Sequence, residues 1–282
     1  MNAVLFGGTG FIGVRLAKLL SSKGFDVTIA SLERKAGVVS VDVATGKGFE
    51  KLPKTADVVF NMASLIRSRN LRDPRFMQIN AIGAGKVAEY AYKTGAWLIH
   101  SSSASVYGKP RRLPVRESDE KQPLSEYARS KLESEKFCEM KTDVDRLTIL
   151  RYSSVFGPGQ TNNSVLPLFL RNALCGKTLN VSDPERTQDF VFVDDVARAN
   201  LHFFLKKING IYNIGSGIET SMLDLARTIV RVTHSNSSIV VEDSKFKSGF
   251  RMKLDISRAK KVDFFPKISL TKGLKLMVES ML

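Results

Sequence analysis

Cysteine is almost absent from this 282-residue chain, and its two copies, Cys138 and Cys175, each lie in a helix-like stretch. A disulfide framework is therefore not expected, and a reducing compartment, the cytoplasm, is. Long apolar runs are missing too. No stretch approaches the roughly 18 apolar residues of a membrane-spanning helix. Met1–Phe6 run straight into glycines, without the basic segment and long apolar stretch of a signal peptide. Histidine occurs three times, and no zinc-ligand spacing is present, so no metal is expected. Acidic residues are the minority charge: 28 Asp and Glu against 43 Lys and Arg leave a net charge of +15. Such a balance points to an anionic partner. Neither a recognition helix nor an aromatic–basic stacking motif accompanies it, which argues against nucleic acid. The basic residues cluster between Lys245 and Lys275 and again at Arg67, Arg69, Arg72 and Arg75. By composition alone, both clusters read equally well as solvated basic faces.

What the chain does have is alternation. Short apolar runs at Val4–Phe6, Val27–Ala30, Val38–Val43, Val58–Phe60, Leu98–His100 and Thr148–Leu150 predict buried strands. Between them lie helix-period patterns, such as Ile12, Leu16, Leu19 and Leu20, or Met77, Ala81, Ala84, Val87, Ala88 and Ala91. Strand–helix alternation with wholly apolar strands predicts an α/β fold, a doubly wound parallel sheet covered by helices on both faces. After Arg151 the pattern loosens. The expected division is a dinucleotide-binding domain over 1–155 and 187–213, and a smaller mixed α/β lobe over 156–186 and 214–282.

The segment Gly7-Gly8-Thr9-Gly10-Phe11-Ile12-Gly13 follows the first strand and opens the first helix. Glycines here let backbone approach a pyrophosphate and let helix and strand pack closely, while the helix N-terminus offers amides to phosphate. In this strand–loop–helix context the pattern predicts a nicotinamide dinucleotide. Its form turns on the end of the second strand, Ala30-Ser31-Leu32-Glu33-Arg34-Lys35. Ser31 carries no charge, and Arg34 with Lys35 suits a 2′-phosphate. NADP is favoured, and NAD stays open through Glu33 as a ribose ligand.

Tyr127 and Lys131 stand four residues apart, one above the other on a helix face. A neighbouring ammonium is expected to lower the phenol pKa, making Tyr127 a proton acceptor and donor. The serine-rich run His100–Gly108 follows the fifth strand at its carboxyl end, where parallel sheets bind ligands, and a hydroxyl there can donate to a substrate oxygen.

Taken together, Gly7–Gly13, Asp57–Ala63, Asn80, Ser101–Gly108, Tyr127/Lys131, Arg151–Gly159, Asp189–Asp195 and Tyr212–Gly217 resemble the extended short-chain dehydrogenase/reductase class, in particular the NAD-dependent epimerase/dehydratase family. The resemblance spans essentially the whole chain. It implies an enzyme acting on a nucleotide-linked sugar, with Ser103, Tyr127 and Lys131 as the catalytic group. It implies coenzyme contacts from Gly7 through Gly13, Thr9, Phe11 and Ile12 included, and from Ser31, Arg34, Ser101, Tyr127 and Lys131. Asp42 and Val43 would meet the adenine, and Met62, Ala63 and Ser64 the nicotinamide pocket. Asn80, counted with the coenzyme contacts, would support the active-site sheet. Ser105 and Tyr107 would face the sugar. Family members commonly dimerise through helices corresponding to Phe76–Lys93 and Ser125–Met140.

Departures from the family pattern bear on substrate. Ser154 stands where an asparagine usually holds substrate, and Gln188 replaces the arginine that usually meets the diphosphate. Arg186 and Arg251 are the expected compensations. Ala104 and Ser105 occupy the places of the Asp–Glu pair that a 4,6-dehydratase needs, so dehydration is disfavoured. Epimerase and 4-ketoreductase both remain open. The competing reading is a dinucleotide-binding regulatory protein of the same fold.

Overall fold

The computed structural model describes residues 1–160, 164–242 and 248–281, so Lys245 and Lys247 of the basic stretch lie outside the described residues. Seven parallel strands form the central sheet: β1 (Asn2–Phe6), β2 (Asp26–Ser31), β3 (Val38–Ser40), β4 (Val58–Asn61), β5 (Trp97–Ser103), β6 (Leu147–Tyr152) and β11 (Gly210–Ile214). Their spatial order is β11-β6-β5-β4-β1-β2-β3. Chain order reverses between β1 and β4, and this opens a crevice at the strands' carboxyl ends.

Apolar helix faces cover both sides. On one, α1 (Phe11–Ser22) and α5 (Val193–Leu205) bury Leu16, Leu20, Val196 and Phe203 against Leu5, Phe60 and Ile99. On the other, a π-helical stretch Phe76–Ile82 runs into α2 (Gly83–Thr94), which packs beside α3 (Glu126–Lys141) over Val4, Val59 and Leu98. The α/β doubly wound architecture is as the alternation predicts. One boundary differs: the third strand stops at Ser40. Asp42 turns the chain by accepting from the Ala44 amide (2.9 Å) and the Thr45 hydroxyl (2.9 Å). A short acidic side chain offers the backbone a turn in place of a ladder, so Val41–Val43 become a loop despite their β-branched composition.

A second apolar core gathers α4 (Val165–Leu174), α6 (Met222–Thr233) and α8 (Leu270–Glu279) around short strand pairs. In the first, β7 (Ser154–Phe156) pairs with β10 (Phe190–Phe192). In the second, β8 (Leu179–Val181) pairs with β13 (Ile239–Val241). In a third, β9 (Thr187–Gln188) meets β12 (Thr220–Ser221), and the short helix α7 (Ser257–Lys261) packs beside β11. Asp189 is wholly buried and accepts from the amides of Ser216 (2.7 Å), Gly217 (3.0 Å) and Leu254 (3.1 Å), tying the C-terminal segment to β10. Among the described residues no helix is long and apolar enough to cross a membrane.

One buried ion pair stitches the sheet to the helix carrying Tyr127. Arg151, on β6, donates from Nε and Nη2 to both oxygens of Glu135 on α3 (2.9 and 2.6 Å), and the Ser102 hydroxyl on β5 donates to the same carboxylate. Removing one member leaves a charge stranded in the interior, which typically costs about 3–5 kcal/mol, whereas replacing both by apolar residues is far milder. Accordingly, Glu135→Ala should lower unfolding stability by about 3–5 kcal/mol in urea titrations, and Arg151→Met/Glu135→Leu should lose much less. Equal losses would show that the charges are not what the interior depends on.

Candidate active site

The glycine loop lies at the crevice. Gly7 adopts φ +73°, and a Cβ there would come within 2.7 Å of the Ala63 amide nitrogen. A Cβ on Gly13 would stand 2.1 Å from the Gly7 carbonyl oxygen, so α1 can rest on β1 only with glycine at that position. The N-terminus of α1 has no side-chain cap and no acid in its first turn, which leaves its amides to an anion. Beside it is a cleft of about 290 Å³ walled by Gly7, Thr9, Gly10, Ser31, Asp42, Val43, Met62, Ala63 and Ser64. These are residues expected at a dinucleotide, and a backbone cradle that a Cβ would fill fits its pyrophosphate. The Thr9 and Ser31 hydroxyls lie 2.8 Å apart, closing the strand end over the cleft.

Other expected coenzyme contacts stand elsewhere. Phe11 and Ile12 turn their side chains into the apolar cores, because the first turn of α1 has one face on the sheet. Only their backbone can serve a ligand. Ser101 is buried within β5, and Arg34 is exposed beyond the cleft wall. Asn80 is fully committed to the protein: it accepts from the Leu65 amide (2.7 Å) and the Ser64 hydroxyl (3.1 Å), and donates to the Leu65 carbonyl (2.9 Å) and the Ser130 hydroxyl (2.9 Å). A buried amide whose bonding capacity is spent internally positions its neighbours and touches no coenzyme.

Tyr127 and Ser103 meet at a larger cavity of about 880 Å³. Ser103 ends β5, and Tyr127 sits in the first turn of α3, a helix started by the Ser125 hydroxyl accepting from the Ala128 amide (3.1 Å). Burial raises the phenol pKa, and a hydrogen bond with Ser103 opposes that rise. The expected lowering by Lys131 is not what the structure shows. Lys131 is itself buried and brought down to about 8, since desolvation disfavours its charge, with Cys138 and Glu135 pulling the other way. The hydroxyl is thus the neighbour that favours the phenolate.

Behind these residues runs a hydrogen-bonded chain that sequence reading missed. His100 is buried, and burial holds it well below its usual pKa, hence neutral. Its Nδ1 lies 3.2 Å from the Asn61 amide nitrogen and its Nε2 2.8 Å from the Ser134 hydroxyl, which in turn donates to the Lys131 carbonyl (2.6 Å). Assigned with its proton on Nε2, the ring satisfies both neighbours and connects β4, β5 and α3. No sequence spacing announces such a link, because it depends on which helix faces which strand.

Ser105 also lines the large cavity, and its hydroxyl has no hydrogen-bond partner among the described residues. Tyr107, expected to face the sugar, does not. It is buried, pushed up to about 12 by desolvation, and its hydroxyl donates to Asn213 (2.7 Å) while accepting from Arg151 (2.9 Å). Ala104–Tyr107 form a 3-10 turn, in which side chains two residues apart point about 120° from one another, so Ser105 and Tyr107 face different ways.

A second cavity of about 510 Å³ lies between β8 and α4. It shares Arg67, Ser154, Arg186 and Gln188 with the first, so the two chambers meet at these residues. The Ser154 hydroxyl donates to the Gln188 side-chain oxygen (2.9 Å), and Arg186 stacks over the Phe250 ring (5.2 Å). Arg251 does not reach either chamber. Its guanidinium forks onto Glu219 (2.7 and 2.8 Å), a planar pair that satisfies it locally. Arg67 and Arg72, readable in sequence only as part of a basic cluster, line the large cavity instead.

Comparisons with known proteins point to one family. The family model "NAD dependent epimerase/dehydratase family" matches residues 3–215. A putative UDP-glucose 4-epimerase of Methanocaldococcus jannaschii is 32% identical over 98% of this chain and 96% of its own length. A UDP-N-acetyl-alpha-D-glucosaminuronate decarboxylase of Bacillus cytotoxicus is 28% identical, covering 99% of this chain and 97% of that one. Among solved structures, UDP-glucose 4-epimerase from Thermotoga maritima with UDP-glucose superposes with a TM-score of 0.87 at 29% identity, covering 100% of this chain and 98% of that one. With the glycine cradle, the seven-stranded sheet and the whole-length likeness in agreement, the chain belongs to the NAD-dependent epimerase/dehydratase family of extended short-chain dehydrogenase/reductase enzymes.

Proposed function

We propose that this enzyme is a cytoplasmic nucleotide-sugar epimerase or 4-ketoreductase that uses NADP in preference to NAD, with Tyr127 as the proton-transferring group. The observation that carries the reading is the placement of Tyr127 and Ser103 together on the wall of the larger of two joined chambers, with a separate cleft at the glycine loop. Sugar and nucleoside diphosphate need two such spaces in line. When bound, the nicotinamide accepts or supplies the hydride at the sugar carbon. Tyr127 takes the hydroxyl proton as that carbon is oxidised, or returns one on reduction. Ser103 orients the same oxygen, and Lys131, buried one helical turn along α3 from Tyr127, is the third member of the group.

The volume of the chamber beside Tyr127, about 880 Å³, supports epimerisation, in which a ketone intermediate must present both faces in turn. The absence of charge at Ser31 supports ketoreduction with the phosphorylated coenzyme. Ala104 and Ser105, in place of an acid–base pair, leave no group to expel a hydroxyl, so dehydration is not part of the proposal.

Three outcomes test the reading. Tyr127→Phe should abolish turnover across a panel of nucleotide sugars while coenzyme affinity stays nearly unchanged; retained turnover would end the assignment. Ser103→Ala removes the bond that favours the phenolate, so the phenol pKa rises further. In the oxidative direction the acidic limb of the pH–rate profile should then move to higher pH, and an unmoved limb would remove Ser103 from this role. Ser31→Asp should shift preference from NADP towards NAD in paired binding titrations, since a carboxylate accepts from ribose hydroxyls and repels a 2′-phosphate. No shift would mean that Ser31 does not read the ribose.

A further inference from the structure

The wall between the two chambers carries an unused positive charge. Arg67 lines both cavities, and among the described residues its guanidinium has neither an ion pair nor a hydrogen bond. It stands at the same junction as Gln188, whose carboxamide is neutral and already accepts from Ser154. The loop holding Arg67 is anchored on either side. At its start, Asn80 grips both backbone groups of Leu65; at its end, Asp73 accepts from the Ser68 hydroxyl and the Arg75 guanidinium. An exposed guanidinium that lines both chambers and is spent on no partner among the described residues, on a loop anchored at either side, is available to an anion there.

We propose that Arg67 binds the diphosphate linking the two halves of the substrate, and so determines selectivity for a diphosphate-bridged ligand. The positive charge that neutral Gln188 does not supply comes from Arg67 at the same junction. This rests on the nucleotide-sugar reading above and adds a residue to it. The same loop begins at Leu65, which lines the dinucleotide cleft, so one segment borders both ligands. Arg186 lines the same junction and adds a second positive charge there.

Calorimetric titration of the intact protein tests this with whichever of UDP, CDP, dTDP and GDP binds best, at low and moderate salt. Arg67→Ala should weaken that nucleotide by about tenfold to a hundredfold, the usual range for losing a charged hydrogen bond. The salt dependence of binding should shrink with it. NADP affinity and thermal unfolding should be unchanged, and adding Gln188→Arg to Arg67→Ala should recover much of the loss. Nucleotide affinity within twofold of the parent would overturn the inference and leave the nucleotide-sugar reading standing. A matching loss of NADP affinity or folding stability would also overturn it, by making Arg67 a structural residue. If the parent binds none of the four nucleotides, the nucleotide-sugar reading fails and this inference with it.

Discussion

The architecture of the site depends on a charge that has no access to water. Arg151 is almost completely buried, and each of its nitrogens finds an oxygen: two on Glu135, one on the Glu117 backbone (3.0 Å) and one on Tyr107. Desolvating a guanidinium is costly unless every donor is met, so these partners are constrained in position as well as in identity. They come from the helix carrying Tyr127 and Lys131, from the turn after Ser103, and from the segment that closes over β11. The spacing between phenol and hydroxyl is thereby set by an interaction that touches neither.

A second constraint is steric and acts on the other ligand. The Gly7–Gly13 contact brings helix and strand closer than any side chain would allow, and this aims the amides of α1 at the crevice. The neighbouring strand ends then supply the walls. Asp42 turns the chain just after Val41, whose amide still donates to Ser31 (2.8 Å), and Val41–Val43 line the cleft. A short polar side chain thus converts a potential edge strand into part of a binding surface.

The residues that sequence reading misplaced fail in a consistent way. Tyr107, from the motif after β5, and Arg251, expected as a compensating charge, are each spent on the protein itself, while Asn80 supports the site's framework as expected and has no bond left for a coenzyme. A polar side chain near a site has two uses, and only the geometry of its neighbours separates them. The reverse holds for Arg67 and Arg72, which composition assigned equally to solvent and which the loop fold turns towards the cavity. Lys131 shows the same limit in electrostatics. Its spacing from Tyr127 was legible, but the sign of the dominant effect on the phenol depended on burial.

By itself, the sequence determined the alternating parallel architecture, the place of the glycine loop after β1 and the four-residue spacing of Tyr127 and Lys131 on one helix. These are local matters: hydrophobic period, glycine spacing and a four-residue helical step act within a few residues of chain. Only the tertiary structure decided that Tyr107 faces inward, that His100 links β4, β5 and α3, and that two chambers join at Arg67, Ser154, Arg186 and Gln188. Those outcomes depend on contacts between segments far apart in the chain, where burial and hydrogen-bond satisfaction, not pattern, choose the partner.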